Sequence, residues 1–461
     1  MLLPPSPLLD FLRPSDLVFG LLVAGFLGLL VSSRDRLRTA GAVYVVSLPL
    51  VDLPAASLSG VEALNLFGLA LAAMGLTLAI RGDLKHALSP LLLRTHGWLW
   101  LFLGWAALGC WRGGSWDEWW RLLRLVLTAL AVRLASSRPP VPRTMATAFV
   151  ATMSVLSAVG LVQFGWGRFV WSIGRTKMPD YDYFIEVAPG LVRAPGTFAD
   201  PNNMGIFAGL ALVLVAFEMA QAPPCRRRRL ALLGLLLLGG MACSLTRSAA
   251  AASGLALAYV WVGGRRPGRL ARAVLPAAVL VLALVTAARW SGPAPSGVGS
   301  LGHRLLYWKA AALMAVERPL LGVGLGRFGE RFAAQRTTLP PKVAQLASHK
   351  PHSFLLHLAA ETGLVGLLFF CVPLVGTLRA LLARCDPLGR LGAALLGATL
   401  LHAAMHNVLG QDLLWLVLGV AAALGRQPPE QASVGTRGRT RSPSPEGRRR
   451  EPQLTSGGCR S

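Results

Sequence analysis

Long apolar stretches follow one another along most of the chain, and they constrain its fold more than any other feature of the sequence. A helix needs about 20 predominantly apolar residues to cross the hydrocarbon core of a bilayer. Stretches of about this length lie at 17–33, 39–56, 61–80, 96–111, 119–135, 144–164, 203–221, 230–244, 249–263, 273–290, 363–382, 391–408 and 411–425. They predict an all-α polytopic integral membrane protein with about 12 or 13 transmembrane helices.

The composition agrees with this prediction. Of the 461 residues, 54% are hydrophobic and only 15% are charged, and the mean hydropathy is +0.53. Soluble globular domains carry about 25% charged residues, so these values argue against a water-soluble enzyme.

The net charge of +25 would suit a nucleic-acid-binding protein, but the positions of the arginines favour a membrane. Most of them lie in short connections between apolar stretches, as the positive-inside rule predicts for cytoplasmic loops. Such connections lie near 81–94, 133–143, 226, 265 and 379–390, and a consistent alternation of spans places all of them on one side. We therefore expect contacts with membrane lipids and no nucleic acid.

Two longer polar segments, 165–202 and 291–362, then fall on the opposite, extracytoplasmic side of a membrane domain formed by residues 1–425. Residues 426–461 are rich in Arg, Pro and Ser and hold almost no large apolar side chain. Because they cannot bury enough surface to fold, we expect a disordered basic cytoplasmic tail.

The first candidate site lies at the end of the first polar segment. Asp200 followed by Pro201 is typical of a helix N-cap and first helical residue, so a helix is predicted to begin there. The unpaired N–H groups of such a helix start can bind an anion, and Arg193 lies a few residues upstream. An ordinary capped span with an interfacial arginine explains the segment equally well.

The second candidate is the short polar break Ser244–Ser248, which predicts a tight hairpin between two helices. Its Arg247 would lie on the outer side, where arginines are disfavoured, so an anion is expected to face it. Contact with a phospholipid headgroup is the alternative.

The third candidate is the segment 349–366, where Pro351 predicts a helix start with His352 in the first turn. Histidine is suited to proton transfer near neutral pH. Glu361 lies nine residues further, on the opposite face of a straight helix, so we expect it to pair with an arginine rather than with His352.

Other polar residues have two interpretations each. His303, Arg304 and Trp308 could line an acceptor groove or anchor the chain at the interface. His402 and His406 lie four residues apart on one helical face, where a packed polar pair is favoured over a metal site because no third ligand is near. The Asp180–Asp182 pair matches a metal-binding D-x-D pattern, although a solvated acidic loop is favoured.

Four motifs taken together resemble the O-antigen ligase family. They are R-x-P-G-T-F-x-D-P-N at Arg193–Asn202, T-R-S at Thr246–Ser248, L-x-G-V-G-L-G-x-F at Leu320–Phe328, and P-H-S at Pro351–Ser353 followed by E-x-G at Glu361–Gly363. The resemblance covers roughly residues 140–425. The same superfamily includes O-antigen polymerases and bacterial protein O-oligosaccharyltransferases.

The resemblance implies a GT-C-like glycosyltransferase of the bacterial inner membrane with its active site facing the periplasm. It would move a glycan from an undecaprenyl pyrophosphate carrier to an acceptor hydroxyl, in the ligase case that of lipid A-core during lipopolysaccharide synthesis. The acceptor would be a lipid or polysaccharide, and no metal or other cofactor is expected. A transporter or flippase of lipid-linked polysaccharide is the alternative of another class.

The resemblance also assigns roles to residues. Arg193 and Arg247 would hold the pyrophosphate, and His352 would be the catalytic base or would orient the acceptor. We add Asp200, Asn202, Arg304 and Glu361 as substrate-binding candidates.

Overall fold

We describe a computed structural model of the chain. It covers residues 24–25, 28–29, 32–33, 35–50, 57–58, 61–62, 90–138, 140–166, 186–188, 191–198, 200–262, 300–335, 350–384, 386–407 and 411–426. The predicted spans at 17–33, 61–80 and 273–290, the Asp180–Asp182 pair and the C-terminal tail lie wholly or almost wholly outside these residues.

The described residues form twelve helices and two short hairpins. The helices are α1 (Arg36–Ser47), α2 (Pro90–Trp111), α3 (Trp116–Ser136), α4 (Pro140–Trp166), α5 (Pro201–Gln221), α6 (Pro224–Cys243), α7 (Arg247–Val262), α8 (Ser300–Glu317), α9 (Phe328–Gln335), α10 (Phe354–Leu382), α11 (Pro387–Met405) and α12 (Asp412–Leu424). A 3-10 turn, Leu48–Leu50, follows α1. The antiparallel hairpins are β1 (Ser57–Leu58) with β2 (Val61–Glu62), and β3 (Glu186–Ala188) with β4 (Leu191–Val192).

The fold is helical, as predicted, and four described helices are long and apolar enough to cross a membrane. They are α4, α5, α10 and α11. Two shorter apolar helices are Gly97–Trp111, within α2, and α12. The expected total of 12 or 13 spans stays a prediction, because several of the stretches that it counts lie outside the described residues.

Helices α5 and α12 form the centre of the bundle, since most residues of α5 and nearly all residues of α12 are buried. Helix α5 packs against α4, α6, α7 and α11, and α12 packs against α3 and α11. At the crossing of α12 with α3, Gly419 lies so close to α3 that a Cβ atom there would approach the carbonyl oxygen of Ala129 to 2.6 Å. By contrast, Leu232 and Leu235 on α6 are about 60% exposed, as expected for side chains that face lipid.

One end of the bundle holds two of the predicted basic connections, α3–α4 and α10–α11. The Arg38 side chain at the start of α1 donates from Nε to Thr144 Oγ1 of α4. Arg384, between α10 and α11, donates to the carbonyl oxygen of Leu424 at the end of α12. Arg133 near the end of α3 lies close enough to Arg426 to interact with it electrostatically. These contacts place the α3–α4 and α10–α11 connections together, as the charge pattern predicts.

A kink divides α10, and this differs from the predicted helix start. The helix begins at Phe354 after the N-cap Ser353, not at Pro351, because His352 has a φ of 53° that a helix cannot contain. His352 therefore precedes the helix. Within α10, Gly363 has a φ of 72° and a ψ of −180°, which breaks the helical path. The amide of Leu364 instead donates to the carbonyl oxygen of Pro319, at 2.7 Å.

We expect Gly363→Ala to lower the free energy of unfolding by about 3 kcal/mol or more, from left-handed strain and a steric overlap together. A Cβ atom there would overlap the carbonyl group of Leu320. Gly254→Ala on α7 is the matched control, since no atom lies within 4 Å of its added Cβ, and a helical Ala is favoured by about 0.5–1 kcal/mol. Thermal unfolding of the purified protein in detergent measures both variants. Equal unfolding temperatures of the Gly363→Ala and Gly254→Ala proteins would show that the kink does not require glycine at position 363.

Candidate active site

The start of α5 has the predicted N-cap. Asp200 has an extended backbone, and its Oδ1 accepts a hydrogen bond of 2.8 Å from the amide of Asn202. Pro201 is the first helical residue, where its missing N–H is not needed. The helix therefore begins where the sequence predicts.

Arg193 is buried, and its guanidinium joins the start of α5 to the α6–α7 turn. Only 4% of the residue is exposed. Its Nε donates to the carbonyl oxygen of Ser244 at 2.9 Å, and its Nη2 donates to Asn202 Oδ1 at 2.8 Å and to Thr246 Oγ1 at 3.0 Å. The amide of Ala194 adds a bond to the carbonyl oxygen of Cys243. Arg193 and Asn202 thus position the backbone from which Arg247 projects.

The α6–α7 connection is the tight hairpin predicted from the sequence. Helix α6 ends at Cys243 and α7 begins at Arg247, so only three residues join them. Leu245 has a φ of 49°, a conformation that completes the reversal. Arg247 is exposed, unlike the buried Arg193. The two arginines expected to hold one anion therefore differ. The Arg247 residue is exposed at the surface, whereas the described hydrogen bonds of Arg193 are all to other groups of the protein.

Arg304 on α8 brings a second polar segment to the same place. Burial, followed by the nearby Arg247, lowers the pKa of the Arg304 guanidinium, and Asp200 opposes this. The electrostatic contacts show that all three side chains lie at one end of the bundle. The positive charges of Arg247 and Arg304 repel each other, and Asp200 offsets only part of this charge. A bound anion would balance the remainder.

His352 lies in this cluster, immediately before α10. Its ring centroid is 5.8 Å from that of Tyr307 on α8. Burial, followed by Arg304, lowers the pKa of His352 below its usual 6.5, and Asp200 partly opposes the shift. The imidazole is therefore neutral near pH 7 and able to accept a proton.

Glu361 does not join this cluster, and its expected pairing with an arginine is wrong among the described residues. Its Oε1 lies 3.1 Å from His357 Nε2 and accepts a hydrogen bond of 3.1 Å from the amide of Phe328. His357 Nδ1 in turn lies 3.1 Å from Asn407 Oδ1. A nearby imidazole, one helical turn earlier on α10, is the partner that the nine-residue separation from His352 did not reveal.

The glycine-rich motif is the loop that this carboxylate holds. The amide of Val323 donates to the carbonyl oxygen of Ala360, and that of Gly324 donates to the carbonyl oxygen of Glu361. Gly322 has a φ of 67°, and a Cβ there would meet the Ala360–Glu361 backbone. Two separate motifs thus form one structural unit, which fixes α8 and α9 against the N-terminal part of α10.

Two groups of interacting side chains were missed by the sequence reasoning. The stacked rings of His402 and His406 both approach the hydroxyl of Ser248, so the pair does pack together, but its serine partner was not foreseen. Asp412 receives a bidentate bond from Arg124 and a bond of 2.8 Å from the hydroxyl of Tyr44. Each contact joins helices more than 100 residues apart, which no local pattern reveals. The described residues hold no group of three candidate metal ligands.

Long apolar helices around a buried polar end define a multi-pass helical membrane protein. Residues 232–371 match the family model described as O-antigen ligase, which confirms the resemblance over this part of the chain. A match to this family implies a glycosyl-transfer enzyme. No curated protein matches the chain. The matched range holds three of the four motifs, and the bonds of Arg193 connect the fourth to it.

We expect Glu361→Ala to lower the free energy of unfolding by about 3–5 kcal/mol, because the variant leaves a buried imidazole and a buried amide without their partner. Glu361→Gln retains an acceptor for the Phe328 amide and should lose less. Glu118→Ala, which removes a partly exposed carboxylate from a pair with Arg121, is the control and should cost about 0–1 kcal/mol. Thermal unfolding in detergent checks all three. A Glu361→Ala protein as stable as the Glu118→Ala protein would contradict the structural role.

Proposed function

We propose that the protein is a glycosyltransferase that moves a glycan from a polyprenyl pyrophosphate carrier to an acceptor hydroxyl. The acceptor reaction is of the O-antigen ligase type, with lipid A-core as acceptor, and the site faces the periplasm of a bacterial inner membrane. The observation that carries the proposal is the gathering of Arg247, Arg304 and His352 around Asp200 at one end of the bundle. The family match supports glycosyl transfer.

The cationic side chains have the chemistry that a pyrophosphate leaving group needs. Arg247 is exposed, and the half-buried Arg304 lies near it and near the carboxylate of Asp200. Guanidinium groups bind phosphoryl oxygens through paired, charge-assisted hydrogen bonds. These bonds strengthen as the carrier pyrophosphate departs with its full charge, so they stabilise the transition state more than the bound donor.

His352 supplies the base. The acceptor hydroxyl oxygen attacks the anomeric carbon of the donor sugar, its proton passes to the His352 imidazole, and the bond from that carbon to the pyrophosphate oxygen breaks. The products are the extended acceptor and the free polyprenyl pyrophosphate. Because burial and the nearby Arg304 lower the pKa of His352 and keep the imidazole neutral, the base is ready before the donor binds. No metal is required in this scheme, since arginines neutralise the leaving group.

The end of the bundle that holds this site is opposite the end with the basic connections. Arg38, Arg133, Arg384 and Arg426 lie at the latter, which the positive-inside rule makes cytoplasmic. This supports an extracytoplasmic site.

Polymerisation of O-antigen units and transfer to a protein hydroxyl are alternative reactions that use the same donor and the same chemistry. Only the identity of the product distinguishes them from the ligase reaction. A transporter or flippase would instead release the carrier with its glycan still attached.

Arg247→Ala should reduce glycan transfer by about 10²–10³-fold, the usual effect of removing one charge-stabilising donor. Arg331→Ala, an exposed arginine on α9, is the charge-matched control and should transfer normally. The assay measures transfer from a polyprenyl pyrophosphate-linked glycan to lipid A-core by the purified protein in nanodiscs. A parallel run in EDTA should show equal turnover. Full activity of Arg247→Ala would contradict the proposed anion site, and carrier translocation without transfer would favour the transporter.

The pH dependence should report on His352. Activity should fall on acidification through a pKa below 6.5, because the protonated imidazole cannot accept the acceptor's proton. Arg304→Gln removes a neighbouring cation and should move this acid limb to higher pH, and Asp200→Asn should move it to lower pH. Lys309→Gln, on an exposed position of the same helix, should leave it in place. The measurement is kcat/KM against pH, and an acid limb that ignores both Arg304 and Asp200 would exclude His352 as the base.

A further inference from the structure

The side chain next to Arg247 has contacts that the proposed chemistry does not yet use. Ser248 is the second residue of α7 and is partly exposed. Its Oγ lies 3.2 Å from His402 Nδ1 and 2.9 Å from His406 Nε2, both at the end of α11. A serine hydroxyl in contact with two imidazole nitrogens is held in a defined orientation.

The two imidazoles form a stacked, buried pair. Their ring centroids are 4.4 Å apart with an interplanar angle of 14°, and the residues are 1% and 6% exposed. Stacked cations at this distance would repel strongly, and Arg193, Arg304 and His352 also act electrostatically on His406. Both rings are therefore expected to be neutral, so that each carries a single N–H.

The position of these hydrogens decides what the serine can do. A hydroxyl can accept two hydrogen bonds and donate one. When His402 carries its hydrogen on Nδ1 and His406 on Nε2, both rings donate to Oγ, and the serine hydrogen remains available for a third partner. His402 Nε2 is buried without a hydrogen-bond partner among the described residues. In this tautomer that atom carries a lone pair and not an N–H donor, and an unpaired acceptor is the less costly of the two.

The groups around the Ser248 hydroxyl are suited to an anion as the acceptor of its hydrogen. Arg247 is the adjacent residue, and Ser248 lies in the first turn of α7, where backbone N–H groups lack helical partners. Arg304 and His352 approach from α8 and from the segment before α10. A phosphoryl oxygen that binds Arg247 would therefore lie beside the Ser248 hydroxyl. Because the lone pairs of this hydroxyl accept hydrogen bonds from the two imidazoles, it would donate its hydrogen to the phosphoryl oxygen.

We propose that Ser248 is a further pyrophosphate-binding residue, which donates its hydroxyl hydrogen to a phosphoryl oxygen, and that His402 and His406 are positioning residues that orient this hydroxyl. The inference rests on the proposed function and adds a neutral donor to the arginines of the same site. It gives α11 a role in donor binding, although neither histidine touches the donor. The oriented hydroxyl would help to fix the position of the bound phosphoryl oxygen, in addition to the charge that Arg247 supplies.

The test compares three serine variants of the full-length protein in nanodiscs. Binding of inorganic pyrophosphate, measured by calorimetry, should weaken about 10- to 100-fold in Ser248→Ala, the value of a hydrogen bond to a charged group. Ser248→Thr retains the hydroxyl and should bind within a few-fold of the wild type. Ser253→Ala is the matched control on the same helix, because its buried hydroxyl has no partner among the described residues and should not affect binding.

A double-mutant cycle tests the histidines. His406→Ala should weaken pyrophosphate binding about 2- to 10-fold when Ser248 is present and should have no further effect in the Ser248→Ala background. His406→Gln retains an N–H donor near Oγ and should restore binding. Independent effects of the two residues, or equal binding by Ser248→Ala and Ser253→Ala, would overturn the proposal. Thermal unfolding identifies any variant that fails to fold, and Ser248→Thr then carries the comparison.

The outcome separates this inference from the proposed function. If the wild type binds pyrophosphate, Arg247→Ala does not, and Ser248→Ala binds normally, then only the role of Ser248 is wrong. If the wild type neither binds pyrophosphate nor transfers glycan, the proposed function fails as a whole. Inorganic phosphate serves as a second probe: equal affinity for it, with the same dependence on Ser248, would indicate a lipid headgroup site and overturn the assignment to pyrophosphate.

Discussion

The buried guanidinium of Arg193 is the contact on which the rest of the candidate site depends. It is bonded to Ser244, Asn202 and Thr246, so it joins the start of α5 to the turn between α6 and α7. A buried cation is stable only when its donors are satisfied, and here backbone and side-chain oxygens satisfy them. Because these bonds hold the turn, Arg247 and Ser248 emerge from a fixed backbone rather than from a mobile loop.

A second polar centre, formed by Glu361 and His357, fixes the N-terminal part of α10. Glu361 and His357 on α10 bind each other, and Glu361 also binds the Phe328 amide, so α9 and the glycine-rich loop are fixed to the N-terminal part of α10. His352 directly precedes this helix. In both centres, buried groups that bond to one another fix the backbone. The proposed contacts with substrate are assigned instead to the exposed Arg247 and the partly exposed Ser248.

Local sequence patterns predicted the elements of this site well. The Asp200 cap and the hairpin at Ser244–Ser248 depend on neighbouring residues, so their chemistry is visible in the sequence. The helix start at Pro351 was misplaced because the φ of 53° at His352 has no local signal. The Arg193 bonds, the Glu361–His357 pair and the Ser248–His402–His406 contacts join segments whose approach depends on helix packing, and an apolar helix offers no polar face that would show which side is turned inward.

Sequence alone determined the class of protein, the basic connections between its helices and the family to which the motifs point. These follow from apolar length, charge placement and short motifs, which act through the bilayer and the local backbone. Tertiary structure decided which polar residues meet. It assigned Arg193 and Glu361 to the framework, brought Arg304 beside Arg247 and His352, and placed Ser248 against two stacked imidazoles. Pairing between distant helices depends on how their small and large side chains interlock, and only the packed bundle contains that information.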